Sequence, residues 1–151
     1  MAELDPGAIA RAIIDASLYM VLGTADQEGR PWVSPVYFAH SEYNEFFWVS
    51  SPEAKHSRNL AGRPEISIVI FDSQVSIGTG QGVYMSASAE KLTGTDRGRG
   101  IDVFSRRSLE HGGDPWTLED VQSPARLRLY RATASAHDVL DANDQRVPVS
   151  L

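Results

Sequence analysis

A series of short strand patterns between residues 20 and 71 constrains the fold of this chain most. The first of these strand patterns ends near Thr24, the second begins at Pro31 and the third begins at Glu45. Each is rich in apolar and β-branched residues, and polar turns of a few residues separate one pattern from the next. Because a parallel connection needs about a dozen residues or more, strands joined this closely must pair antiparallel. One short helix comes before the strand at residues 65–71. The order therefore predicts an antiparallel sheet.

The rest of the chain adds elements of similar length. Asp5 followed by Pro6 predicts the capped start of an amphipathic helix, and residues 83–90 alternate between apolar and polar side chains as a strand does. A change of period after Thr95 predicts another helix, and a long final strand begins near Arg126. With no linker and no internal repeat, residues 1–151 predict a single domain, mostly β with short helices, whose six antiparallel strands close into a small barrel.

The second predicted strand, residues 31–39, contains two prolines, Pro31 and Pro35. Proline has no backbone N–H to donate to a neighbouring strand, so it is excluded from the middle of a sheet. This strand is therefore predicted to lie in part at an edge, at a bulge or beside a cleft.

Charge and composition exclude several classes of function. A net charge of −6 argues against nucleic acid as the main partner, because phosphate backbones bind basic surfaces. The chain contains no cysteine, which removes disulfides and thiolate metal sites. No apolar run reaches the ~20 residues of a membrane span, and the acidic start at residues 1–5 does not fit a secretory signal. We expect a cytoplasmic protein without a membrane partner.

The usual catalytic motifs are not found in the sequence. Gly78, Gly80 and Gly82 precede a strand rather than a helix, so they are interpreted as a loop and not as a dinucleotide fingerprint. No serine elbow of the Gly-x-Ser-x-Gly type is present. The four histidines have no metal-ligand spacing and are interpreted as surface residues: His40, His56, His111 and His137. The sequence thus identifies no general acid or base.

Two further helix starts follow recognisable capping patterns. For the helix after the third strand, Ser51 before Pro52 fits an N-cap and first helical position, whereas Ser50 with Glu53 three residues later fits a capping box. Both alternatives stay open on the sequence alone. Thr117 predicts a second capped start further along the chain.

The same helix carries the strongest candidate for binding chemistry. Lys55, Arg58 and Asn59 are spaced i, i+3, i+4 and are predicted to share one face. A helix N-terminus has free N–H donors and a positive dipole end, and lysine and arginine suit phosphate oxygens. The alternative is a solvated cationic face whose charges pair with Glu53 or Glu65.

Several segments together resemble the pyridoxamine 5′-phosphate oxidase-like flavin-binding family. They are residues 22–25 with 29–38, residues 47–51, residues 55–60, and residues 82–89. The resemblance spans residues 17–92 and rests on the order and spacing of these segments. It implies a split β-barrel that forms homodimers and binds FMN at the subunit interface.

The resemblance also implies roles for particular residues. Ser50, Ser51, Lys55 and Arg58 are expected at the cofactor phosphate, and Val33–Val36 beside the isoalloxazine ring. Residues 80–84, and Trp116, are expected to close the site from the partner subunit. The expected cofactor-binding residues are Val33, Ser34, Pro35, Val36, Val49, Ser50, Ser51, Lys55, Arg58, Asn59, Gln81 and Tyr84.

One departure from the family separates this chain from vitamin B6 oxidation. Pyridoxamine phosphate oxidases end in a segment containing Arg-Leu-x-Pro, whereas this chain ends in residues 145–151 without it. The expected function is therefore an FMN-dependent oxidoreductase acting on an unknown small molecule. Relatives of this size also include haem-degrading proteins and users of the deazaflavin coenzyme.

Three alternatives stay open beside that function. The first is a deazaflavin-dependent reductase of the same fold, whose anionic coenzyme tail would need a basic groove. Such a groove could be supplied by Arg97, Arg99, Arg106 and Arg107, for which solvation of a helix face is the simpler account. The second is a non-enzymatic flavin carrier or sensor. The third is a β-barrel interaction domain in which Lys55 and Arg58 are surface residues.

Overall fold

The computed structural model describes residues 5–151, so residues 1–4 of the acidic N-terminal sequence lie outside the described residues. The described part contains three α-helices, one 3₁₀ turn and eight β-strands. The helices are α1 (Pro6–Ala16), α2 (Lys55–Gly62) and α3 (Asp96–Glu110), and the 3₁₀ turn is Leu118–Val121. The strands are β1 (Tyr19–Ala25), β2 (Pro31–Tyr37), β3 (Ala39–Ser41), β4 (Glu45–Ser50), β5 (Glu65–Phe71), β6 (Gly82–Lys91), β7 (Arg128–Leu140) and β8 (Arg146–Val149).

All eight strands belong to one antiparallel sheet, in the order β2-β1-β5-β6-β7-β4-β3, with β8 paired to the end of β7. The antiparallel prediction is confirmed, but the count of six strands is wrong. The predicted second strand is interrupted at the fully buried Phe38, which separates β2 from β3. The other extra strand is β8, which forms because Asp141 Oδ1 accepts from the backbone N–H groups of Asn143 and Gln145 and turns the chain back onto β7.

Strands β2 and β3 are consecutive in the chain yet lie at opposite ends of the sheet path. A single residue joins them, so the sheet must curl until its two ends meet at Phe38. Strand β2 has only β1 as a sheet partner. The prediction that a strand with two prolines lies at an edge is thereby confirmed.

The core has two parts because β4 is buried on both faces. Phe46 and Trp48 point into the curled sheet, where Ile14 of α1 also packs. Phe47 points to the opposite side and packs with Leu129 beneath α3. The unbroken apolar sequence of β4 follows from this double burial.

Two of the three predicted caps form. Asp5 accepts a hydrogen bond from the backbone N–H of Ala8 at 3.1 Å, with Pro6 at the first helical position of α1. Thr117 and Asp120 form a complete capping box at the 3₁₀ turn. Among residues 5–151, none of the helices is both long and apolar enough to span a bilayer.

Candidate functional site

A pocket of about 610 Å³ lies between β2 and β4 on one side and α3 with the segment after it on the other. Tyr37, Phe104, His111 and Trp116 line it with aromatic rings, and we call it the aromatic pocket. Four of the residues expected at a cofactor also line it, namely Pro35, Val36, Val49 and Ser50. The structure therefore brings the expected ring-binding strand together with the end of β4. Trp116 lines the pocket of its own chain.

The rings of the aromatic pocket contact one another edge to face. The centroids of Tyr37 and Phe104 are 5.5 Å apart at an interplanar angle of 82°. Phe104 and Trp116 are also 5.5 Å apart, at 83°. Edge-to-face pairs are a favoured arrangement of aromatic side chains. They hold α3 and the segment after it against β2 and give the pocket a fixed wall.

A tyrosine and a histidine form a hydrogen-bonded pair in this wall. The Tyr37 hydroxyl lies 2.9 Å from Nδ1 of His111. Burial raises the pKa of Tyr37, so the phenol stays protonated, and it is the donor in this bond when the imidazole proton lies on Nε2. The two residues are 74 positions apart in the chain, so no local sequence pattern could have connected them.

His56 contradicts the interpretation of all four histidines as surface residues. It is the second residue of α2, it is buried, and it lines the aromatic pocket. Its Nε2 lies 3.0 Å from the Ser50 hydroxyl. Burial lowers the pKa of His56, so the neutral form is favoured in the folded protein.

We expect His56 to make stability depend on pH below its usual pKa of 6.5. Since the unfolded chain binds the proton more readily than the folded one, the free energy of unfolding falls as the pH drops through this range. A single histidine contributes up to about 1.4 kcal/mol per pH unit. His56→Gln should flatten the pH dependence below about pH 6.5, measured by urea unfolding. Equal slopes in the two proteins would contradict this.

Helix α2 begins at Lys55, and both predicted starts are wrong. Ala54 is the N-cap residue and no side chain caps the helix. Ser51 instead closes a turn before the helix, because its hydroxyl accepts from the N–H of Glu53 at 3.1 Å and its carbonyl accepts from the N–H of Ala54 at 3.1 Å. The chain reaches helical geometry only after this turn, which places Lys55 at the first helical position.

Lys55 and Arg58 are both exposed and line a shallow hollow of about 420 Å³. We call it the cationic hollow, and its other lining residues are Asp26, Gln27, Glu28, Arg30 and Asn59. The Lys55 ammonium lies 4.3 Å from the centroid of the Trp32 ring. No salt bridge within residues 5–151 joins Lys55 or Arg58 to a carboxylate, so the alternative of pairing with Glu53 or Glu65 is not observed.

Asn59 has a different environment from the two cations. It is buried, and its side-chain amide donates to the Thr24 hydroxyl at 3.1 Å. This bond ties α2 to β1 beneath the cationic hollow. The i, i+3, i+4 spacing correctly places the three residues around one hollow, but Asn59 forms its buried edge.

The other expected cofactor residues lie outside the aromatic pocket and the cationic hollow. Val33 and Tyr84 line the outside of the curled sheet, where Val33 is 69% exposed, and Ser34 is half-buried beside them on β2. Gln81 is hydrogen-bonded to the last residue of β7. Its side chain donates to the Leu140 carbonyl and accepts from the Leu140 N–H, both at 2.8 Å. This chain alone therefore presents the expected residues at several places.

Metal binding by a cluster of side chains is not indicated in the part of the chain from Asp5 onward. No group of three or more histidine, aspartate or glutamate side chains is arranged there to hold an ion.

A curled antiparallel sheet with an aromatic pocket beside a cationic helix start defines a small protein of the β-barrel class. The sequence profile of the pyridoxamine 5′-phosphate oxidase family matches residues 8–141, so the chain belongs to this family. The family resemblance and the split-barrel fold that it implies are thereby confirmed. Comparison of the sequence with curated proteins gives no match.

Solved structures with the same fold are named for different ligands. The heme binding protein from Mycobacterium smegmatis aligns with a TM-score of 0.73 and 17% identity over 99% of this chain, which spans only 60% of that protein. A FAD-binding protein from Mesorhizobium loti aligns with a TM-score of 0.64 and 18% identity over 90% of this chain and 94% of that one. An F420 reductase aligns with a TM-score of 0.62 and 14% identity over 85% and 94%. At these identities the likeness shows the fold alone.

Proposed function

We propose that this protein is an FMN-dependent oxidoreductase acting on a small molecule. The observation that carries the proposal lies at the start of α2. Lys55 lines the cationic hollow without a carboxylate partner, and the next residue, His56, lines the aromatic pocket. Two consecutive residues thus line two adjacent sites: the cationic hollow suits an anionic group, and the aromatic pocket suits a flat apolar group. FMN combines a phosphate with a planar ring.

The residues present fit this cofactor. A volume of about 610 Å³ lies within the usual range for ligand sites, and the aromatic lining suits a flat conjugated ring. Lys55 and Arg58, with Ser50 and Ser51 before them, would hold the phosphate. Pro35 and Val36, which line the aromatic pocket, would lie along the ring. When bound, flavin supplies hydride and electron transfer, and the protein supplies orientation and the exclusion of water.

A deazaflavin coenzyme is the second candidate, and the structural likeness to an F420 reductase supports it. Its anionic tail would require a free basic groove on α3. Arg99 already binds the Glu45 carboxylate, at 3.0 and 2.8 Å. Arg107 donates to the Ser17 carbonyl at the end of α1, at 2.7 Å. These engagements favour FMN.

Binding of FMN tests the proposal directly. We expect the purified protein to carry flavin or to take up FMN at micromolar concentration, seen by absorption and by the mass of the released molecule. Replacing Lys55 and Arg58 with alanine should weaken FMN binding about 100-fold, since each removes a charge-assisted contact with phosphate. Arg11→Ala with Arg106→Ala removes the same charge elsewhere and should leave the affinity unchanged.

Two further outcomes separate this proposal from its rivals. A protein that binds no FMN contradicts it, and a released deazaflavin identifies the second candidate. A flavin carrier or sensor would bind FMN, yet neither NADH, NADPH nor a reduced deazaflavin would reduce the bound cofactor.

We also propose a homodimer formed through the outside of the curled sheet. This outer sheet face is defined by Val21, Gly23, Val33, Ser67, Val69, Tyr84 and Ser86. Hollows of about 700 and 360 Å³ lie along it. A Cβ at Gly23 would come within 2.6 Å of the Ser67 hydroxyl. Glycine at this position therefore leaves the centre of the face without a protruding side chain. Exposed apolar area of this kind marks interaction surfaces.

The mass of the protein in solution tests this interface. Val33→Arg with Val69→Arg should convert a dimer into a monomer, because two charges would be buried without partners. Light scattering after gel filtration measures the change. Val75→Arg alters an apolar residue that is 42% exposed in the β5–β6 loop and should leave the dimer intact. A monomeric wild-type protein would contradict the interface.

A further inference from the structure

We propose that His111 donates a hydrogen bond from Nε2 to the ligand in the aromatic pocket, and that Tyr37 is the positioning residue that fixes this arrangement. The inference rests on the proposed function, because it takes the aromatic pocket as the site of the planar ring. It assigns a role to a histidine that the sequence patterns left on the surface.

The hydrogen bond to Tyr37 determines where the imidazole proton lies. In the arrangement that we propose, the Tyr37 phenol donates across the 2.9 Å to Nδ1, which then carries no proton. In the neutral imidazole the remaining proton is on Nε2. Within residues 5–151, Nε2 of His111 has no hydrogen-bond partner, so this donor is free at the pocket wall.

The backbone holds His111 in position as well. It is the C-terminal cap residue of α3, and its N–H donates to the carbonyls of Arg107 and Ser108 at 3.1 and 3.2 Å. The turn after it is closed by the Ser108 hydroxyl, which donates to the Asp114 carbonyl at 2.7 Å. Gly113 permits this closure, since a Cβ there would come within 2.5 Å of the same hydroxyl. The imidazole is therefore carried on a rigid support.

The charges around the pocket indicate which ligand chemistry His111 serves. Among residues 5–151, no lysine or arginine lines the aromatic pocket, and Asp114 is the only carboxylate that does. Arg107 lies near Tyr37 but donates to the Ser17 carbonyl at 2.7 Å, whereas Lys55 and Arg58 in the cationic hollow form no salt bridge within residues 5–151, so the hollow suits an anionic group better. The acceptor that faces His111 is therefore an uncharged oxygen or nitrogen of a flat heteroaromatic ring.

Nitrogen-15 NMR and ligand titration together test the assignment. In wild-type protein we expect the neutral His111 ring to carry its proton on Nε2, and addition of FMN or of riboflavin, which lacks the phosphate, to shift the Nε2 signal. Tyr37→Phe should produce a mixture of the two tautomers. His111→Leu should weaken binding of both flavins about three- to tenfold. His111→Gln, which keeps an N–H donor, should restore most of the affinity.

A histidine outside the pocket supplies the control. His137 Nε2 is bonded to the Tyr43 carbonyl at 2.7 Å, so His137→Gln should not change flavin binding. Wild-type affinity in His111→Leu, or an Nδ1–H tautomer in wild-type protein, would overturn the inference and leave the proposed function standing. Failure of wild-type protein to bind either flavin would overturn both. Circular dichroism of each variant identifies loss of fold, and the tautomer measurement on wild-type protein does not depend on any variant.

Discussion

Replacing Gly100 with valine is expected to destabilise the fold by about 2–3 kcal/mol. Gly100 is buried on α3, where the helix packs on the sheet. A Cβ at this position would lie 2.9 Å from Cε1 of Phe47 and 3.0 Å from Cδ2 of Leu129. Both of those side chains are fully buried and cannot move aside into solvent. Valine would therefore push α3 away from β4 and β7.

The neighbouring Gly98 provides a matched control. No atom lies within 4 Å of a Cβ built there, so alanine fits without contact. Gly98→Ala should stabilise the protein by up to about 1 kcal/mol, because alanine favours the helix over glycine. Urea unfolding of the two variants measures both effects. Equal effects at the two positions would show that helix propensity, not packing against Phe47, decides the outcome.

Replacing Arg131 with methionine is expected to cost about 2–4 kcal/mol. The side chain of Arg131 is only 16% exposed and binds Glu45 at 3.0 Å, Glu90 at 2.7 Å and Asp96 at 3.2 Å. These carboxylates come from β4, β6 and the start of α3, while Arg131 belongs to β7. Methionine would fill similar space but take the shared cation from Glu90, and it would leave Glu45 and Asp96 with only the more exposed Arg99.

Arg99 is the matched control for Arg131, because it also binds Glu45, at 2.8 Å. Its side chain is 46% exposed, and Glu45 would keep Arg131 after its removal. Arg99→Met should therefore cost no more than about 1 kcal/mol, as exposed ion pairs usually do. Thermal and urea unfolding of the two variants give the comparison. Similar losses would show that burial of Arg131 does not set its contribution.

Local patterns in the sequence were sufficient to predict most of the sheet. The strand Glu65–Phe71 was predicted with its observed bounds, because its isoleucines alternate with less buried residues. The start of β4 at Glu45 was also predicted correctly, although nothing local indicated that the strand is buried on both faces. The break at Phe38 was missed, since its cause is the closure of the curled sheet and not a local turn signal.

The candidate site was harder to predict because its contacts are distant in sequence. Spacing on one helix correctly placed Lys55 and Arg58 together at the cationic hollow. It could not show that His56 turns the other way and contacts Ser50. The wall of the aromatic pocket depends on α3 packing against β2, and that packing brings Phe104 to Tyr37. Only the tertiary structure contains this information.

The prolines of β2 also affect how two copies of this chain can meet. Pro31 and Pro35 pair with Ala25 and Val21 of β1, and β2 ends the sheet path. A foreign strand that approached the free side of β2 would find these two positions without N–H donors. Growth of the sheet by strand addition, the usual route to fibrillar aggregation, is disfavoured at this edge. Association through stacked faces does not need those donors and stays available to the folded protein.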